Sequence, residues 1–175
     1  VRKSSKNTAW EAVSVSGTAY VPTTTISAAP TGGGTSYEAI NLLTPKRINT
    51  FIGDGTATQF KVDATDLDET AVTAEVNGSA VIVSAVNRST GLVTLASAPA
   101  NGNGLANVSI AFAKTVSGHA DKINKCRFAG LYGGKNDTRV FLSGNPDEPD
   151  CDWQSGLYDP TYFPDTGYTR MGTDA

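Results

Sequence analysis

The chain has 175 residues, a formal net charge of −3 at pH 7 and an isoelectric point near 5.1. This mildly acidic balance provides no basic stripe that would neutralise phosphates, so it argues against sequence-specific nucleic-acid binding. No apolar run is long enough to span a bilayer, and the opening VRKSSKNTAW lacks the apolar region of a signal peptide, so we expect no membrane partner.

The composition favours an all-β fold. The chain contains 18 glycines and 8 prolines and uses Val and Thr heavily. Branched residues suit pleated, half-buried strands, and Gly and Pro suit the tight turns that join them. We therefore predict an all-β protein.

The first 48 residues predict strands followed by a connector. Two candidate strands flank Ser16–Gly17 in TAWEAVSVSGTAYVPTTTIS. The next stretch, AAPTGGGTSYEAINLLTPKR, is rich in Gly, Pro and Ser and has one short apolar patch at Ile40, Leu42 and Leu43. Such composition is typical of a connector between folded parts.

The middle of the chain begins with two turn signals. In NTFIGDGTATQFKVD, the glycines of Gly53-Asp54-Gly55 can adopt the positive φ of a tight reversal, which predicts a hairpin of two short strands. In AVTAEVNGSAVIVSAV, Asn77-Gly78 is the strongest short-range signal for a type I′ hairpin.

Two more strands complete this middle region. A turn over 88–91 leads to a strand over 92–96, and ANVSIAFAK alternates strictly between large and small residues. Six closely spaced strands without a helical pattern predict a small immunoglobulin-like β-sandwich over residues 49–117. Its predicted inner face comprises Phe60, Val62, Val72, Val76, Val93 or Leu95, Val108, Ile110 and Phe112.

The last part of the chain shows a less regular pattern than the middle. HADKINKCRFAGLYGG fits a short helix and a strand equally poorly, whereas TRVFLSG and DCDWQSGL predict strands joined by the loop NPDEP. The simplest organisation is one β domain, a partial propeller-like or meander domain, formed by residues 1–48 and 118–175. The sandwich of residues 49–117 is then inserted into it through exposed turns.

No grouping in the sequence predicts catalysis, and we expect a protein that is not an enzyme, with no catalytic residue, cofactor or metal. The single histidine, His119, follows Ser-Gly at the sandwich exit, where a solvated or boundary role is favoured over that of a general base. Two acidic clusters favour solvated loops, with calcium binding as the next alternative. The clusters comprise Asp66, Asp68 and Glu69, and Asp147, Glu148, Asp150 and Asp152.

Two cysteines, Cys126 and Cys151, lie 25 residues apart without metal-binding spacing. They could form one disulfide in an oxidising environment. Two free, buried thiols are the favoured alternative.

Aromatic residues are concentrated near the end of the chain, interleaved with prolines and acids. Three interpretations stay open: a sugar-binding platform, a protein contact surface, or a local aromatic core that fixes an irregular segment. The candidate interface or glycan-binding residues are Trp153, Tyr158, Tyr162, Phe163 and Tyr168.

The flanking regions resemble structural proteins of tailed bacteriophages and prophages. LYGGKNDTRVFLSGNPDEPDCDWQSGLYDPTYFPDTGY is similar to a segment of phage neck and tail-nozzle proteins, in which a strand ending in RVFLSGNP precedes SGLYDPTYFP. The middle portion, FIGDGTATQFKVD to STGLVTLASAPANGNG, is similar to a sandwich module of phage tail and fibre proteins. AYVPTTTI and NLLTPKRINTF fit the same family.

This resemblance implies a non-enzymatic virion component with a propeller-like body. The implied partners are other phage structural proteins and further copies of the chain, assembled in the bacterial cytoplasm into the virion. A carbohydrate-binding or host-attachment module is the alternative. Since the flanks have room for only one or two propeller blades, we expect the chain to be a fragment of a longer protein.

Overall fold

A computed structural model of the protein describes residues 2–3, 10–11, 18–132 and 138–172, and the described chain is nearly all β, which confirms the predicted class. The elements are β1 (Arg2–Lys3), β2 (Trp10–Glu11), β3 (Thr23–Ala28), β4 (Thr35–Ser36), β5 (Lys46–Phe51), β6 (Gln59–Lys61), β7 (Thr73–Val76), β8 (Ser79–Val81), β9 (Val83–Asn87), β10 (Leu92–Leu95), β11 (Val108–Ala113), α1 (His119–Asn124), β12 (Phe128–Tyr132), β13 (Arg139–Ser143), β14 (Cys151–Gln154) and β15 (Tyr168–Arg170).

Two sheets share the larger hydrophobic core. A six-stranded sheet has the order β4-β3-β5-β11-β7-β8, and a three-stranded sheet has the order β6-β10-β9. The pairing of β3 with β5 is parallel, and the other pairings in both sheets are antiparallel. Residues from both sheets form one buried cluster, so the arrangement is sandwich-like.

Alternation along the strands builds this core as the sequence predicts. Val108, Ile110 and Phe112 of β11 are all at most 2% exposed, while Ser109 and Ala111 between them are half-buried. Phe51 of β5 and Phe60 of β6 belong to different sheets, and their ring centroids lie 5.4 Å apart at an interplanar angle of 70°. This edge-to-face contact joins the two layers.

The predicted Asn77-Gly78 hairpin is confirmed. Val76 pairs with Ser79, which leaves two residues in the turn between β7 and β8. Asn77 has a φ of 49° and Gly78 a φ of 74°, the double positive φ that a type I′ turn requires.

The hairpin predicted at Gly53-Asp54-Gly55 is wrong, because β5 and β6 lie in different sheets. Both edges of β5 are occupied by β3 and β11. One oxygen of Asp54 instead accepts the amide N–H groups of Thr56 and Ala57 at 2.8 and 2.7 Å, and the amide of Gly53 donates to the side chain of Asn107 at 2.8 Å. These bonds fix the path of the chain between β5 in one sheet and β6 in the other.

The six-stranded sheet includes strands from both sides of residue 48. β3 contributes Ala28, at 1% exposed, to the core that β11 also lines. The sandwich-like unit therefore extends back to Thr23, and the division into 1–48, 49–117 and 118–175 stays a prediction. The predicted turn at Ser16–Gly17 lies outside the described residues.

A polar network joins β3 and β5 to the segment that follows β6. One carboxylate oxygen of Asp63 accepts hydrogen bonds from Thr24 Oγ1 at 2.6 Å, Thr25 Oγ1 at 2.7 Å and Asn49 Nδ2 at 2.9 Å. The amide of Asp63 donates back to Asn49 Oδ1 at 2.8 Å. Asn49 is only 1% exposed, so these bonds satisfy a buried side-chain amide, whereas Asp63 itself is exposed.

The last part of the chain forms a second unit with its own core. The segment HADKINKCRFAGLYGG, which fits a helix and a strand equally poorly in sequence, contains one of each. The helix α1 comes first and the strand β12 follows. A four-stranded antiparallel sheet then runs in chain order, β12-β13-β14-β15. Its buried cluster comprises Leu42, Ile123, Cys151, Trp153 and Phe163.

Asn41 joins this unit to the connector and to the start of the sandwich. Its side-chain Nδ2 donates to the carbonyl oxygens of Tyr20 and Thr161, both at 2.8 Å. Its Oδ1 accepts the amide N–H groups of Leu43 at 3.1 Å and Phe163 at 2.9 Å. Asn41 is 1% exposed, so one side chain satisfies four backbone groups at a buried joint.

Replacing Asn41 with Ala should lower the free energy of unfolding by roughly 3 kcal/mol, because buried amides and carbonyls lose their partners. Denaturant unfolding measures the change. The matched control is Asn124→Ala, at an exposed position of α1, which should shift stability by about 0.5 kcal/mol or less. Equal stabilities for the two variants would contradict the role assigned to Asn41.

Candidate interaction surface

Exposed apolar side chains are concentrated on the C-terminal unit. Half of the exposed large hydrophobic residues in the described chain belong to residues 118–172, which make up about a third of it. Contiguous exposed apolar surface is typical of contact sites in soluble proteins. The residues are Phe128, Leu131, Leu157, Tyr158, Tyr168 and Met171.

The most exposed of these residues lie on β12, at one edge of the four-stranded sheet. Phe128 is 68% exposed and Leu131 is 75% exposed. β12 pairs with β13 on one side, and no described strand pairs with its other side. It contains no proline and no charged residue, the usual features that protect a sheet edge from pairing with another chain.

One face of the same sheet is covered by the chain itself. Trp153 and Cys151 of β14 pack in one cluster with Ile123 of α1, Leu42 of the connector and Phe163. Lys122 of α1 lies over the Trp153 ring, with its Nζ 5.0 Å from the ring centroid. The sheet is therefore stabilised from one face while its β12 edge stays open.

Two of the five predicted aromatic candidates are buried in this core. Trp153 is 1% exposed and Phe163 is 3% exposed. The interpretation as a local aromatic core applies to both, since their rings offer no surface to a partner or a sugar. Among the described residues, none accepts a hydrogen bond from the indole N–H of Trp153, so the contribution of this side chain comes from packing.

The other three candidates are not buried in this core, and each makes different contacts. The Tyr162 hydroxyl donates to the carbonyl of Ala39 at 3.0 Å, and its ring centroid lies 5.2 Å from that of Tyr20. Tyr168 is 42% exposed and its ring contacts that of Trp153, with centroids 5.0 Å apart.

Tyr158 is 60% exposed and lies in the loop after β14, where its amide donates to the carbonyl of Thr138 at 3.0 Å. Because Trp153 and Phe163 are buried, the five aromatics do not act together as one exposed platform. A role of these residues in an interface or in glycan binding stays a prediction.

The acids of the NPDEPDCD loop are paired with cations. Asp147 lies 2.7 Å from Lys125 Nζ, and Asp150 lies 3.3 Å from Arg170. The Asp147 and Asp121 carboxylates hydrogen-bond the Lys125 ammonium and raise its pKa. The loop is thereby tied to α1 and to β15, and these contacts are exposed ion pairs of small individual energy.

The acids of the DLDET segment tie a loop to the end of β11. Asp68 accepts the amide N–H of Thr115 at 2.9 Å and the Thr115 hydroxyl at 2.8 Å. Glu69 lies 3.0 Å from Arg88. Within residues 18–132 and 138–172, no group of three or more His, Cys, Asp or Glu side chains is arranged to hold a metal ion.

His119 lies at the first residue of α1 and lines a cleft of about 230 Å³. Burial is the main cause that lowers its pKa, and the positive charge of Lys122 lowers it further. Both effects favour the neutral imidazole. The cleft is lined mainly by apolar residues, among them Leu42, Leu43 and Val116.

Both cysteines are free thiols, in agreement with the favoured sequence interpretation. Cys151 is 1% exposed and Cys126 is half-buried. Burial raises the pKa of each thiol, so little reactive thiolate forms at neutral pH.

The sequence did not predict that β12 forms an exposed sheet edge. It also did not predict that Asn41 is buried and binds several distant segments. FAGLY lies in the segment that fitted neither helix nor strand, and its only local signal is a run without charge. Asn41 stands between the apolar residues Ile40 and Leu42 of the connector, but the sequence does not indicate which backbone groups its side chain binds. Long-range packing decides the environment of both.

Comparisons of the chain with protein-family models, with curated proteins and with solved structures find no match. No relative therefore assigns a role to any residue of the surface described above. In the described part of the chain, no helix has the length and apolar composition needed to cross a membrane.

Trp153→Ala should destabilise the protein by about 3–5 kcal/mol, because it removes the largest side chain of the C-terminal core. Denaturant unfolding followed by circular dichroism measures the loss. Leu157→Ala, at a 48% exposed position of the same unit, is the control and should change stability little. A Trp153→Ala protein as stable as the control would favour a surface role for Trp153.

Both thiols should react fully with a thiol reagent in denaturant and only slowly in the native protein at pH 7. The reason is that burial limits access and raises the pKa of each thiol. Intact mass measured with and without reductant should be the same. A two-proton mass difference would instead reveal a disulfide.

Proposed function

We propose that the chain is a non-enzymatic structural component of a tailed-phage virion, acting in the neck or tail through protein–protein contacts. Its partners are other virion structural proteins and further copies of the same chain. It is assembled in the bacterial cytoplasm and resides in the particle.

The observation that carries this proposal is the four-stranded antiparallel sheet in chain order, with one face covered and the edge at β12 open. Propeller blades are four-stranded sheets of this kind, and each blade needs neighbours to complete its packing. The segment that resembles phage neck and tail-nozzle proteins, 131–168, includes β13 and β14 and the loop that follows them. The two observations support an assembly role for the same residues.

The contacts of the acidic residues are consistent with a structural role. Asp68 and Asp147 each bind groups of a neighbouring segment, so these carboxylates fix loops in place. The sandwich adds a second folded unit, and its exit leads directly into α1. We propose that it projects from the assembly as a spacer.

Glycan binding is the alternative function, and it would need aromatic faces that a sugar ring can reach. Of the five aromatic candidates, Tyr158 and Tyr168 offer exposed surface, whereas Trp153 and Phe163 are buried. This distribution favours the structural proposal. Binding on a glycan array, with and without calcium, would support the alternative.

Immunogold electron microscopy of particles from the phage that encodes the chain tests the proposal. Antibody raised against residues 49–117 should place gold at the head–tail junction or on the tail. Pre-immune serum and an antibody against the capsid serve as controls. Intact, unlabelled particles with the antigen free in the lysate would exclude a virion role and direct attention to glycan binding.

A further inference from the structure

We infer that β12 is a self-pairing edge, through which two copies of the chain associate by antiparallel strand pairing across a two-fold axis. This inference rests on the proposed function, since it names the contact through which copies of a structural protein would join. It concerns the backbone edge of β12 and its two outward-facing large residues, Phe128 and Leu131.

The edge of β12 differs from the other sheet edges in the described chain. β4 has two residues, and β6, β8 and β15 have three each, with Lys61 in β6 and Arg170 in β15. β9 has five residues, but its register with β10 shifts between Thr94 and Leu95. Short length, charge and register irregularity all discourage pairing with another chain.

β12 has none of these features. It has five residues in unbroken register with β13, and it presents large apolar side chains to solvent. An open strand of this kind carries a row of unpaired N–H and C=O groups, which an added strand satisfies. The occupant that its chemistry fits is therefore another extended, uncharged strand.

The sequence of β12 suits a second copy of itself. In an antiparallel pair centred on Gly130, Leu131 lies opposite Ala129 of the second copy, and the reciprocal contact repeats across the axis. A large apolar residue then lies beside a small one on the same face of the joined sheet. Because FAGLY carries no charge, two copies approach without like-charge repulsion within the strand. Two-fold dimers are also the commonest form of homo-oligomer.

Gly130 provides an independent argument. A Cβ atom added there would meet no atom of the described residues within 4 Å, and the φ of Gly130 is not in the left-handed region. The fold of one chain therefore does not require glycine at this position. A glycine inside a strand weakens it and often marks a place where another backbone approaches closely, which fits a residue on the two-fold axis.

Sedimentation velocity over a range of protein concentrations tests this inference. The chain should form a dimer, and Leu131→Lys should raise the dimer dissociation constant at least about tenfold, since a lysine at an edge opposes pairing. The matched control is Leu105→Lys, because Leu105 and Leu131 are both 75% exposed and Leu105 lies in a loop. The control should dimerise as the unchanged chain does.

A monomer at every concentration, or a dimer unaffected by Leu131→Lys, would overturn the inference. If β12 instead pairs with a different virion protein, the isolated chain would sediment as a monomer at every concentration. The gold labelling of particles would then be unchanged, so the inference can fail while the proposed function stands. Circular dichroism of each variant verifies that it is folded.

Cross-linking supplies a second readout that does not depend on a lysine at position 131. Strand-paired Cα atoms lie about 4.5–5.5 Å apart, which a disulfide can span. Gly130→Cys in a Cys126→Ser background should give a disulfide-linked dimer on mild oxidation. Leu105→Cys in the same background should stay largely monomeric. Equal cross-linking of both variants, or of neither, would contradict pairing about Gly130.

Discussion

The hydrogen bonds of Asn41 hold together segments that are far apart in the sequence. Its side chain bonds the backbone of Tyr20, Thr161 and Phe163, and the amide of Leu42 donates to the carbonyl of Phe163 at 2.8 Å. Each of these buried groups would otherwise lose a hydrogen bond to water without replacement. Together with the bonds from the amides of Tyr20 and Asp165 to the carbonyls of Thr161 and Ile40, these hydrogen bonds join the C-terminal unit to the connector and to the start of the sandwich-like unit.

The two β units differ in how much of their apolar surface is buried. The sandwich-like unit buries its core between two sheets, with Phe51 against Phe60, and the Asp63 network joins β3 and β5. The C-terminal sheet covers one face with α1 and the connector and leaves β12 open. A closed unit linked to a unit with an unguarded edge is the organisation expected of a protein that assembles through that edge. This contrast connects the fold to the proposed role.

Much of the strand pattern could be predicted from sequence because it depends on neighbouring residues. Asn77-Gly78 adopts positive φ at little steric cost, and alternation along β11 follows from the two-residue period of a strand. The hairpin predicted at Gly53-Asp54-Gly55 does not form, because glycines permit a reversal but do not determine which strand β5 pairs with. That choice was made by β3 and β11, which lie far away in the sequence.

The sequence by itself determined the all-β class, the strand periods and the aromatic character of the C-terminal unit. Only the tertiary structure decided which of the aromatic side chains are exposed to solvent. Trp153 is buried because α1 and the connector pack over its face of the sheet, whereas Phe128 lies on the edge strand β12, outside the buried cluster of the described residues. Both residues are large, apolar and set in short strands. Burial depends on what packs against a residue, and local sequence does not specify that neighbour.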